Sequence, residues 1–179
     1  MTTAAHLWAI AYDDKKRAEQ VRDVITQLSW DSGQGGKALN LLDIAVVERH
    51  PDGTFTVDRQ PFPGVANILG CTVVGFLAGL VVAAPLSGAT LGAMVGGAGT
   101  AAAAHVGIGE DFIREVENLM KPGTSALFVL DTEGDMEVIL HSIQGLGGTV
   151  VKTNVDLERA KLIQSTLATP ADRGDQDGR

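Results

Sequence analysis

Val65-Ala-Asn-Ile-Leu-Gly-Cys-Thr-Val-Val-Gly-Phe-Leu-Ala-Gly-Leu-Val-Val-Ala-Ala84 and, after Pro85-Leu-Ser-Gly88, Ala89-Thr-Leu-Gly-Ala-Met-Val-Gly-Gly-Ala-Gly-Thr-Ala-Ala-Ala-Ala-His-Val-Gly-Ile108 contain no Asp, Glu, Lys or Arg. The charge-free stretch begins after Arg59 and ends at Glu110. A membrane-crossing helix needs about 20 apolar residues, so the run supplies two, broken by Pro85, Ser87 and Gly88. The sequence thus predicts a transmembrane or re-entrant helical hairpin over residues 61–108 that returns the chain to the side it left. A buried or surface-lying hairpin is the alternative, because the second half is rich in Ala and Gly, which add little to insertion. The positive-inside rule gives no orientation, since Arg59 is the only basic residue near either end and Asp58, Glu110 and Asp111 stand close by.

Small residues recur every fourth position in both halves. Cys71, Gly75, Gly79 and Ala83 form one series, and Gly88, Gly92, Gly96, Thr100 and Ala104 the other. In lipid, where apolar burial no longer drives association, such faces let backbones approach closely. Gly75, Gly79, Gly88, Gly92 and Gly96 are therefore the expected helix-packing positions, within one chain or between copies.

The flanks read as one α+β domain, residues 1–60 and 109–168. Leu7 to Tyr12 is an apolar run suited to a strand, and Asp13-Asp14 suits the cap of the following helix. Ala18, Val21, Ile25 and Leu28 then recur at helical spacing among charged neighbours. Leu39–Val47 and Thr54–Arg59 flank Pro51-Asp52-Gly53, a tight-turn signal, and predict a β-hairpin. Glu110-Asp111 opens an amphipathic helix carrying Phe112, Ile113, Val116, Leu119 and Met120, stopped by Lys121-Pro122-Gly123. Ala126–Leu130, Asp135–Leu146 and Thr149–Val155 read as strand, helix and strand, and Leu157–Leu167 as a last helix. The expected architecture is a ferredoxin-like sandwich, two layers deep, with the hairpin inserted in it. Residues 169–179 lack apolar pattern and are expected to be disordered.

Composition removes several functions. A net charge of −8 and 4 % aromatic residues argue against a nucleic-acid surface, which needs clustered Lys and Arg or stacking aromatics. One cysteine, Cys71, permits no internal disulfide and has no neighbours for a zinc site. Met1–Ala5 carries no basic segment of the kind that opens a signal peptide, so the α+β domain is expected in the cytoplasm.

His105 is the ionisable group in the apolar run and is expected at its interfacial end, with Glu110 and Asp111 as potential partners and a helix start as their simpler role. Gly107-Ile-Gly109 and Gly145-Leu-Gly147-Gly148 do not lie between a strand and a helix as a dinucleotide fingerprint requires. Asp13, Asp14 and Asp43 show no spacing that argues for catalysis; His6, Asp13 and Asp14 are the residues whose mutation tests an enzyme in the α+β domain. No catalytic, metal or cofactor set is expected.

The opening strand with Asp13-Asp14, Ala45-Val-Val47 with Asp52-Gly53, the glycine-rich insertion, Gly107-Ile-Gly-Glu-Asp-Phe-Ile113, Leu119-Met-Lys-Pro-Gly-Thr-Ser-Ala-Leu-Phe-Val-Leu130 and Gly147-Gly-Thr-Val150 resemble the bacterial "domain of unknown function 1269" family of predicted membrane proteins. The resemblance runs over nearly the whole chain, to about Leu167, and the Lys121–Phe128 stretch is its most specific part. It implies a membrane location and a prokaryotic source, and it brings no catalytic residue. The expected function is a non-enzymatic, self-associating membrane protein in contact with the lipid bilayer, engaged in envelope stress or membrane organisation. A small pore or transport accessory and an enzyme using the α+β domain are the alternatives.

Overall fold

The computed structural model describes residues 4–32, 41–58, 74, 77–79, 81–82, 103–131 and 136–156. The elements in chain order are β1 (Ala4–Tyr12), α1 (Arg17–Ser32), β2 (Leu41–Arg49), β3 (Phe55–Asp58), α2 (Glu110–Leu119), β4 (Ser125–Asp131), α3 (Met136–Ser142) and β5 (Thr149–Asp156). Helical residues also occur at 74, 77–79, 81–82 and 103–105. The expected Leu157–Leu167 helix and the 169–179 tail lie outside the described residues.

The strands form one antiparallel sheet in the order β3-β2-β4-β1-β5. β1 and β2, joined through α1, both pair with β4, which lies between them. β4 and β5, joined through α3, in turn flank β1. The chain therefore makes two interlocked crossovers, and β4 has neighbours on both edges. All seven of its residues are buried.

Local chemistry sets the connections. The Asp14 carboxylate accepts the Lys16 amide at 2.7 Å, satisfying a donor at the start of α1. The β2–β3 turn closes with the His50 amide on the Thr54 carbonyl at 2.8 Å and the Gly53 amide on the His50 carbonyl at 2.9 Å. Asp52 Oδ1 accepts from the Thr54 amide and hydroxyl at 2.9 and 2.7 Å, which holds its carboxyl below the usual carboxylate range. Gly53, at φ +86°, supplies the left-handed residue this turn needs.

Alternation along the strands divides the core into two. Ile10, Tyr12, Ile44, Val46, Leu127 and Val129 point to one face, where Ala18, Val21 and Ile25 of α1 and Ile139 and Ile143 of the α3 region cover them. Ala5, Leu7, Ala9, Ala11, Ala45, Val47, Ala126, Phe128 and Leu130 point to the other. A two-layer sandwich would leave this second face bare, and the structure corrects that expectation. α2 covers part of it through Phe112, Ile113 and Val116, and the charge-free segment covers more through Val74, Leu77, Ala78, Val81, Val82, Ala103 and Val106.

Candidate functional site

The seat of the charge-free segment is made by side-chain size. Four of the residues that β1 and β2 turn to the second face are alanine: Ala5, Ala9, Ala11 and Ala45. Such a surface is shallow, so a helix carrying branched residues lies close and fills the space above it. Val74, Leu77 and Ala78 are fully buried there, and Val81, Ala103 and Val106 are at most 1 % exposed. No helix among the described residues is long and apolar enough to cross a membrane. At Val74, Leu77, Ala78, Val81, Ala103 and Val106, protein side chains occupy the surroundings expected of lipid.

Gly79 alone of the expected helix-packing positions falls in the described residues; Gly75, Gly88, Gly92 and Gly96 lie outside them, as does Cys71. Gly79 is helical and half-buried, with no described atom within 4 Å of where a β-carbon would stand. His105 is helical and exposed, at the C-terminal end of the segment. Glu110 and Asp111 occupy the first turn of α2, after Gly109 in extended conformation. Asp111 Oδ1 pairs with Arg114 Nη2 at 2.6 Å on the open surface, the geometry of a helix start. His6 and the Asp13-Asp14 pair sit at opposite ends of β1 and do not converge.

Of the polar groups passed over in the sequence, Asp131 and Arg22 are buried and Arg49 is half-buried. Asp131 is 2 % exposed; its Oδ1 accepts from Trp8 Nε1 at 3.2 Å and lies 3.4 Å from His6 Nδ1. Lys152 stands over the Trp8 ring, 4.6 Å from its centroid. Arg22, 5 % exposed, pairs with Asp58 Oδ2 at 2.6 Å and ties α1 to the outer strand β3. Burial alone would lower the Arg22 pKa, but hydrogen bonds to Asp58 and Asp23 outweigh it and raise it. Arg49 donates from Nη1 to the Met120 carbonyl and stacks on Phe55 at 5.2 Å, while its Nε is buried without a partner among the described residues. Helical or strand periodicity gives no signal for the Trp8–Asp131, Arg22–Asp58 and Arg49–Met120 contacts, because these partners are remote in sequence.

At the other end of β1 a cleft of about 360 Å³ is lined by residues 11–14, Arg17, Leu119 and residues 146–149. Tyr12 forms part of its wall and is 4 % exposed. Burial pushes its phenol up to about 12, against a smaller opposing effect of the Arg17 charge. Gly148, at φ +108°, passes so close that a β-carbon there would stand 2.7 Å from Tyr12 Cε1 and 2.9 Å from Ile10 Cγ2. Among the described residues no group of three or more His, Cys, Asp or Glu is placed to hold a metal ion.

Residues 68–168 match a family model described as "Protein of unknown function (DUF1269)". The match starts inside the charge-free segment and takes in α2, β4, α3 and β5, leaving β1 to β3 outside, a narrower extent than the sequence resemblance implied. No curated protein and no solved structure matches the chain.

Proposed function

This chain belongs to the family of proteins of unknown function DUF1269, and from that premise we propose that it is a non-enzymatic, self-associating membrane protein. Its charge-free segment meets the bilayer, and its α+β domain, on the cytoplasmic side of a bacterial inner membrane, binds a partner or a second copy. The observation that carries the reading is the absence of any Asp, Glu, Lys or Arg from residue 60 to residue 109. Soluble domains seldom leave so long a run without charge, whereas hydrocarbon demands it. Small residues at Gly75, Gly79, Gly88, Gly92 and Gly96 favour close helix contacts, within the chain or between copies.

The sheet constrains how the segment meets lipid. β1 and β2 precede it and β4 and β5 follow it, yet all four pair in one sheet. Both flanks share a compartment, so the segment enters the bilayer as a re-entrant or paired element. The order β5-β1-β4-β2 with its two crossovers supports a ferredoxin-like sandwich, to which β3 adds an outer strand. The residues packed on the sheet support a segment that acts together with the domain rather than as a detached anchor.

Flotation of the purified full chain with lipid vesicles, followed by alkaline carbonate extraction, tests the proposal. The expected result is flotation that survives carbonate, with cross-linked oligomers that Gly92→Leu weakens. A chain that remains soluble and monomeric beside the vesicles overturns it. Deleting residues 65–108 is a poor control, because it uncovers the second sheet face and removes Leu77 and Val81 from the core.

A further inference from the structure

The cleft at the end of β1 combines features that the membrane reading does not use. Ala11, Leu119 and Leu146 give it apolar walls, and Asp13 and Arg17 give it charges of opposite sign. Neighbouring charges are already engaged. Asp14 Oδ1 holds the Lys16 amide at 2.7 Å. The Lys16 ammonium lies 3.3 Å from Glu19 and 3.4 Å from Glu48, and Lys15 lies 3.7 Å from Glu48. Arg17 gives Nη1 to Gln20 at 3.2 Å, and a guanidinium has further N–H groups to offer.

Tyr12 forms part of the wall and is the residue through which occupancy of the cleft can be read. Its hydroxyl is buried and has no hydrogen-bond partner among the described residues. The ring is held by the Gly147-Gly148 turn, where no side chain fits at Gly148. The cleft, at about 360 Å³, falls in the range of pockets that take small ligands.

We propose that this cleft binds a small zwitterion with an apolar body, the chemistry of an α-amino acid bearing a nonpolar side chain. The carboxylate meets Arg17, beside the Tyr12 side chain that forms part of the wall. The ammonium meets Asp13, and the apolar group lies against Leu119 and Leu146. A purely anionic ligand is repelled by Asp13, and a purely cationic one by Arg17. The assignment is independent of whether the chain meets a membrane.

The chain contains one tyrosine, so a tyrosine-labelled sample of the full chain gives a ring signal that belongs to Tyr12. Titration with L-leucine is expected to move that signal saturably. N-acetyl-L-leucine, which lacks the cation, and L-leucinamide, which lacks the carboxylate, are expected to bind about tenfold more weakly or worse, as are Asp13→Asn and Arg17→Gln with L-leucine. An unchanged Trp8 indole signal establishes that each variant is folded. The proposal is overturned if L-leucine leaves the tyrosine signal unmoved, if the two derivatives match it, or if the folded variants bind as the parent does.

Discussion

Trp8 Nε1 reaches across the β1–β4 pairing to Asp131 Oδ1 at 3.2 Å, and the carboxylate that receives it is 2 % exposed. A buried carboxylate depends on its donors, and a donor likewise suffers when its acceptor is removed. Asp131→Ala leaves the Trp8 indole and His6 without their common oxygen and is expected to cost about 1–3 kcal/mol. Urea denaturation measures it; an unchanged midpoint means the contact contributes nothing.

Leu77 separates two surroundings for the charge-free segment. Fully buried on the sheet, its truncation in Leu77→Ala opens a cavity and is expected to cost about 2–5 kcal/mol. A lipid-facing leucine leaves no such cavity, because acyl chains refill the space. A loss well below about 1 kcal/mol, measured on the α+β domain's own unfolding transition, places Leu77 away from the sheet.

Gly148 and Gly53 both have left-handed backbone, with φ of +108° and +86°, but only Gly148 is crowded. Gly53→Ala meets no described atom within 4 Å and is expected to cost about 1–2 kcal/mol from backbone strain. Gly148→Ala adds the collision with Tyr12 and Ile10, another about 1–3 kcal/mol. Equal losses in thermal or urea melts are the result that contradicts the close approach.

Tyr12 carries a pH dependence of definite sign. Its phenol is raised from 10.0 to about 12 by burial, so the folded state holds the proton more tightly than the unfolded chain. The stabilisation is complete below about pH 10 and is lost as pH rises through about 12. Alkaline titration followed by tyrosinate absorbance reports this directly, since Tyr12 is the single tyrosine. Ionisation near the ordinary value, with the fold intact, contradicts the burial of the ring.

Much of the sheet was legible in advance. Ala126–Leu130 is apolar throughout, Pro51-Asp52-Gly53 marks its turn chemically, and Phe112, Ile113 and Val116 repeat at helical spacing. The second covered face had a signal too: an uninterrupted apolar strand such as Ala126–Leu130 needs cover on both sides, and β1 sets Ala5, Leu7, Ala9 and Ala11 against Ile10 and Tyr12. Hydropathy could not name the cover. Val74, Leu77 and Val81 satisfy lipid and a sheet of alanines equally well, because both reward apolar surface and neither tolerates charge. The cleft was illegible for another reason, since it gathers Tyr12, Leu119 and Gly148 from three distant parts of the chain.

The central position of β4 bears on biosynthesis. Residues 125–131 lie between β1 and β2 in the sheet, so those two strands have no common neighbour until the ribosome has delivered them. The charge-free segment emerges earlier, before the alanine-lined seat is complete. For that interval the nascent chain carries apolar residues whose seat on the sheet is not yet built. Synthesis of β4 ends the interval, because only then do β1 and β2 share a neighbour.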